Sequence, residues 1–194
     1  MVIVITGASR GIGAATARLA AGRGYSVCVN YRSNRTGADV VVRDVERAGQ
    51  RAVAIQGDVT IEDDVVRLFG TVDRELGPVA ALVNNAGILE TQTRVEHMDA
   101  SRITRVFATN VTGAFICARE VAAEGIRVNG VRAGIIYTDI HASGGEPGRV
   151  DRLAPSLPMK RGGDPDEVAR AILWLLSDEA SYTTGSFIDV SGGR

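Results

Sequence analysis

Lysine is nearly missing from this chain: Lys160 is the single one among 194 residues, so 21 of the 22 basic groups are arginine. With 23 acidic residues the formal net charge is −1, and the pI is near 6.1. No basic field is available for a nucleic acid or an anionic membrane surface, and the arginines alternate with acids instead of clustering. Long apolar runs are also wanting. The opening MVIVITG has no basic leader and its apolar stretch ends after five residues, so it predicts neither a signal peptide nor a spanning helix. Cysteine occurs twice, as Cys28 and Cys117, at a separation that suits neither a metal site nor a disulfide framework. Both are expected to be buried thiols of a cytoplasmic protein, with no metal.

What is present is a chain with 45% hydrophobic residues, long enough to bury one sizeable core, and a single domain over residues 1–194 is expected. Short β-branched runs alternate with amphipathic stretches. That alternation predicts an α/β fold with a parallel sheet and helices on both faces. Strands are expected near 2–5, 26–30, 52–56, 79–83, 126–131 and 186–189, and helices near 11–23, 36–48, 61–76, 99–123 and 165–178. The last helix has its start written out: Asp164 can cap it, Pro165 suits the first helical position and Glu167 completes a capping box. Residues 133–163, interrupted by Pro147, Pro155 and Pro158, are too broken for a core element and too long for a simple connection. A mobile lid or binding loop is expected there. Trp174 is expected in the core and Lys160 in solvent.

TGASRGIG, Thr6 to Gly13, follows the first strand and opens the first helix. Strand, glycine turn and helix together form a dinucleotide-binding fingerprint, whereas glycine spacing alone is a weak signal. Gly7 permits the tight turn, Gly11 lets backbone approach a pyrophosphate, and Gly13 lets the helix pack on the strand, with phosphate at the helix N-terminus. Ser9, Arg10 and Ile12 complete the loop. An ordinary glycine-rich turn is the structural alternative. At the end of the second strand an NAD site usually places an acid for the ribose 2′-hydroxyl. Here no acid lies between Gly13 and Asp39, and the strand ends in Tyr31, Arg32 and Ser33. Arg32 and Ser33 stand where a 2′-phosphate would lie, and Arg10 can reach the same side, so NADP(H) is favoured over NAD(H). The alternative is that Arg32 is a solvated surface charge.

TGASRGIG, GDV at 57–59, NNAG at 84–87, Asn110 of NVTG, RVNGV at 127–131, GIIYT at 134–138 and the terminal TTGSFIDVSGG occur in that order over nearly the whole chain. In this combination the chain resembles a compact short-chain dehydrogenase/reductase. The resemblance implies a Rossmann-like, doubly wound sheet, a small carbonyl or secondary alcohol substrate, hydride transfer with a nicotinamide cofactor, and a homo-oligomer, dimer or tetramer. It further implies that Asp58 and Val59 bracket the adenine, that Asn85, Ala86 and Gly87 line the cofactor, and that Gly134, Ile136 and Thr138 hold its nicotinamide end. One departure is Ala133, where the family usually has proline, which leaves that loop less rigid.

The larger departure is chemical. Reduction of a carbonyl needs an acid to protonate the developing alkoxide. The family resembled uses a tyrosine with a lysine four residues later, a serine on the preceding strand, and an asparagine that helps relay protons through water. Only the asparagine is here, as Asn110. None of Tyr25, Tyr31, Tyr137 or Tyr182 has lysine four residues on. Without a nearby cation a tyrosine keeps a pKa near 10, so Tyr137 and Tyr182 are poor acids at neutral pH. His97 and His141 titrate in a useful range but fall in a loop and the lid, where solvent-facing or substrate-side positions are expected.

CAREVAAEGIRVN thus joins the asparagine helix to the tail of what the resemblance makes a later helix, and one βα unit, roughly 30–50 residues, is missing between them. The joint falls near 118–121. If a block has dropped out of an otherwise complete enzyme, a spatial break is expected between residues 117 and 122. If the peptide is unbroken, the chain is instead a nucleotide-binding protein with a true internal deletion. Apolar Ile135, Ile136 and Leu153 fit a substrate of moderate size.

Overall fold

The computed structural model of the chain describes residues 1–193. Its centre is β1 (Val2–Ile5), buried at all four positions. A strand flanked by helices on both faces reads as an uninterrupted apolar run, which is why VIVI does not alternate with polar residues. β1 pairs in parallel with β2 (Ser26–Tyr31) on one side and β4 (Val79–Val83) on the other, and β3 (Ala52–Gln56) pairs with β2. The sheet order is β3-β2-β1-β4.

Successive side chains of a strand point to opposite faces, and the two faces here build two cores. Ile3, Ile5, Val27 and Val29 pack with the alanine-rich face of α1 (Gly11–Ala21), with Val41 and Val45 of α2 (Arg35–Arg47) and with Leu173 of a helix met later in the chain. Val2, Val4 and Cys28 pack instead with Val65, Leu68 and Val72 of α3 (Glu62–Glu75) and with Cys117. Both thiols are buried as expected; burial pushes Cys117 up to about 11 and raises Cys28 as well.

The helix expected over 99–123 is real but composite. α4 (Ala100–Phe107) runs through a π-helical turn at Ala108–Thr112 into α5 (Gly113–Arg119). No break follows. Val121 N–H donates to the Ala118 carbonyl at 3.2 Å and Ala122 N–H to that of Arg119 at 3.3 Å, and among the described residues every peptide is trans. The gap expected between residues 117 and 122 is therefore not present: the helix ends in a hydrogen-bonded turn and the chain continues directly.

It continues into β5 (Gly130–Ala133), which pairs in parallel with β6 (Phe187–Val190) as a separate two-stranded sheet. Among the described residues β4 and β5 each keep one edge with no strand against it. The strand expected at 126–131 starts four residues late for a related reason. Arg127 donates to the carbonyls of Leu175, Ser177 and Thr183, and the Asn129 amide donates to Thr183, so residues 126–129 are tied to the C-terminal segment and not to a ladder.

The segment 133–163 is better built than its prolines suggest. It holds α6 (Ile140–Ser143) and α7 (Arg149–Leu153), and Ile135, Val150 and Leu157 form a small core of their own with Leu153 against it. Ile135 is buried in this way, and Ile136 beside it is buried as well. α8 (Pro165–Leu176) begins with the expected capping box, Glu167 accepting from the Asp164 N–H at 2.8 Å. The Arg161 guanidinium grips the same carboxylate and, with that N–H, holds it down to about 2. Trp174 departs from expectation. It is 37% exposed on the outer side of α8, whose inward face is carried by Val168, Ala169 and Leu173.

Candidate functional site

The glycine loop is held from below by three polar side chains. Thr6 Oγ1 accepts from the N–H groups of Asn85 and Ala86, both at 3.0 Å. The Asn85 amide donates to the carbonyls of Thr6 and Gly7. Asn30, buried in β2, accepts from Gly7 N–H at 3.2 Å and donates to the carbonyls of Ile55 and Gly57. The ends of β1, β2, β3 and β4 are thus cross-linked where the turn leaves the sheet. Gly7 sits at φ +62, and a Cβ there would stand 2.9 Å from the Ala86 Cα. At Gly13 a Cβ would lie 2.5 Å from the Asn85 amide nitrogen. These two glycines are demanded by close approach, as the fingerprint implies.

Above the loop α1 presents its first turn. Arg10 occupies the N-cap position without a side-chain capping bond, and no acid lies in the first turn. Backbone N–H groups at Gly11, Ile12 and Gly13 therefore face outward, a setting that favours a phosphate. Thr138 comes within 3.3 Å of where a Gly11 Cβ would be, so GIIYT and the glycine loop share one rim. Gly134 is locked beneath, its N–H on Val190 at 2.9 Å, and the Ile136 carbonyl is engaged by the His141 ring at 2.9 Å. His141 is consequently buried, against the expectation of a solvent- or substrate-facing side chain; His97 is exposed.

At the second strand's end the expected residues separate. Arg32 and Ser33 are exposed, and the Arg32 guanidinium rests on Asp58 at 2.9 Å. Asp58 also accepts from the Thr60 N–H and hydroxyl. Tyr31 is buried in the core and offers its carbonyl to Gly57 N–H, so its side chain is not at the surface of the site. Val59 is packed where a Cβ on Gly113 would lie 2.7 Å from it. Arg10 donates to Ser143 of α6 at 3.3 Å, and Ser9 lies at the loop's shoulder, its carbonyl 2.6 Å from where a Gly37 Cβ would sit.

On the far side Asn110 lies in the π turn, a distortion frequent at functional sites. Both arms of its amide are used: the oxygen accepts from Ile88 N–H at 2.8 Å and the nitrogen donates to Ile88 O at 3.0 Å. The side chain braces the loop after β4 beside Gly87. No tyrosine replaces the missing acid. Tyr137 donates to Asp151 at 2.9 Å, and that hydrogen bond to a carboxylate raises its pKa; Tyr182 is fully exposed. Among the described residues no group of three potential ligands could hold a metal ion, and no helix is long and apolar enough to cross a membrane.

This geometry coincides with what comparison finds. The short chain dehydrogenase family description matches residues 1–124, and that of enoyl-(acyl carrier protein) reductase matches 116–194. The uncharacterized oxidoreductase YgfF of Escherichia coli is 46% identical over 245 aligned positions, covering 100% of this chain and 99% of its own. A 3-oxoacyl-[acyl-carrier-protein] reductase FabG of Staphylococcus epidermidis is 30% identical, covering 98% and 97%. A short-chain type dehydrogenase/reductase from Mycobacterium marinum superposes with a TM-score of 0.90 at 28% identity, covering 98% and 94%. The chain belongs to the short-chain dehydrogenase/reductase family, a family of oxidoreductases.

An alignment of 245 positions against 194 residues leaves at least 51 at which YgfF has a residue and this chain has none. The two family descriptions meet at 116–124, where the sequence places the joint.

Asn30 was not legible as a site residue, although an asparagine inside the apolar run SVCVNY is its signal. Replacing it by alanine strands the Gly7 N–H and two carbonyls in a buried setting, so Asn30→Ala should cost about 2–3 kcal/mol by chemical denaturation. Loss below about 0.5 kcal/mol would show that the loop does not depend on this contact.

Proposed function

We propose that the chain is the NADP(H)-binding domain of a short-chain dehydrogenase/reductase whose reaction moves a hydride between nicotinamide and a carbonyl or secondary alcohol. The observation that carries the proposal is the glycine cradle, whose close approaches at Gly7 and Gly13 leave room for backbone and not for a side chain, under an α1 N-terminus with no side-chain cap. Such a cradle fits a pyrophosphate. When bound, the cofactor supplies the hydride. The chain's own residues bind and orient it: Gly11, Ile12 and Gly13 at the phosphates, Asp58 and Val59 toward the adenine, Asn85, Ala86 and Gly87 along the middle, and Gly134, Ile136 and Thr138 toward the nicotinamide.

NADP(H) is preferred because Arg32 and Ser33 stand exposed where an acid would serve NAD(H). Asp58 already holds Arg32, so a 2′-phosphate has to draw the guanidinium away or share it. A charge-assisted contact with phosphate still favours NADPH by about 10–100-fold. Fluorescence titration should show that preference, and Arg32→Asp should abolish or reverse it. Equal affinities, unchanged by the substitution, count against the assignment.

Protonation is the limiting step. With Tyr137 bound to Asp151 and its pKa raised, it is a poor proton donor at neutral pH, and Asn110 is a brace. General acid catalysis is worth about 10²–10⁴-fold, so the chain alone should reduce carbonyls at least about 100-fold more slowly than YgfF on any substrate the latter accepts. A rate within a few-fold of YgfF contradicts this. A non-catalytic NADP(H)-binding protein is the second reading, favoured by the unbroken turn at residues 118–122. A homo-oligomer, dimer or tetramer, is supported by Ile103, Phe107, Val111 and Phe115, exposed at every fourth position from α4 through the π turn into α5. Light scattering should find no strict monomer at micromolar concentration.

A further inference from the structure

The described sheet is divided. β4 ends one sheet and β5 begins the other, and each has an edge with no strand against it. A single strand edge exposes a row of N–H and C=O groups that pair with any extended segment offered. A chain that superposes at a TM-score of 0.90 over 98% of its length keeps both sheets where the relative has them, and in a doubly wound order the position between β4 and β5 belongs to one further parallel strand. At least 51 residues of YgfF have no counterpart here, and the family descriptions meet at 116–124, on the connection between the strands.

One face of the smaller sheet is bare as well. Gly130 and Arg132 of β5 lie opposite Phe187 and Asp189 of β6 and share a face by strand alternation. Phe187 is 66% exposed, its ring close over Gly130 and under the Arg132 guanidinium, which is 5.4 Å from the ring centre. Arg132 and Asp189 are paired at 2.6 Å. Val128, just before β5, is 70% exposed. A cleft of about 460 Å³ opens beside Arg132 and Asp189, lined also by Ala133, Gly134, Ile135 and Ser191. A strand filling the two edges and a helix with an apolar face laid over Phe187 would cover all of these at once.

We propose that the slot between β4 and β5 is a docking site for one separate polypeptide segment, an extended strand parallel to both followed by an amphipathic helix, of the kind the relatives carry within their own chains. The strand hydrogen-bonds to Val79–Val83 on one side and Gly130–Ala133 on the other, and the helix buries Phe187. Docking rests on family membership and sheet topology, so it does not depend on which nucleotide binds.

The test uses the full 194-residue chain and a peptide comprising the segment of YgfF that has no counterpart here. A 1:1 complex is expected by analytical ultracentrifugation, with amide exchange at 79–83 and 130–133 slowed at least about tenfold. A second peptide with proline at two alternate positions of the strand cannot complete the ladder and should bind at least about tenfold more weakly. Phe187→Ser in the chain should weaken docking while leaving the NADPH titration unchanged, which separates failure of the slot from failure of the nucleotide site. No complex overturns the proposal, as does equal binding of the proline peptide. Protection of both edges in the chain alone that rises with its own concentration also overturns it, because a second copy then fills the slot.

Discussion

The constraint on which the rest depends is that the glycine turn after β1 must have its backbone polar groups satisfied without a ladder. Peptide N–H and C=O groups leaving a buried parallel sheet cannot turn to water, and an unpaired one costs about 1–3 kcal/mol. Thr6 just after β1, Asn30 within β2 and Asn85 just after β4 meet that demand, and in doing so they fix the ends of β1 to β4 against one another. The surface above is then rigid before any ligand arrives. A preformed cradle of backbone amides at a helix N-terminus binds phosphate without the entropy of ordering it.

The same economy explains how a chain short of one βα unit holds its shape. Helices α1 and α2 and the inward face of α8 complete one core, and α3 with α5 completes the other. β4 and β5 are left at the ends of their sheets and one face of the small sheet is exposed, while the residues of both cores around β1 and β2 stay buried. What is lost is chemistry. The glycine turn and its polar supports are complete, while Tyr137 has its proton held by a carboxylate.

Much of this was written in the sequence. All six strands were placed from β-branched runs, five of them within a residue or so, because a strand covered on both faces must be apolar throughout. The start of α8 followed from Asp164, Pro165 and Glu167, since capping is decided by neighbours three residues apart. Membership of the family followed from motifs that are backbone demands: glycine where no Cβ fits, asparagine where carbonyls need a donor. The missing tyrosine and lysine needed only a count.

Other features were decided by residues distant in sequence. β5 begins at Gly130 and not at Ile126 because Arg127 and Asn129 find carbonyls about 50 positions away. His141 is buried because the Ile136 carbonyl turns to meet it, and Arg32 leans on Asp58 because β2 and β3 end side by side. Local pattern determines which segments become strands and helices, since that depends on period and propensity within a few residues. Which polar side chain meets which backbone group, and which edge is left without a partner, depends on the packing of the whole chain, and only the tertiary structure settles it.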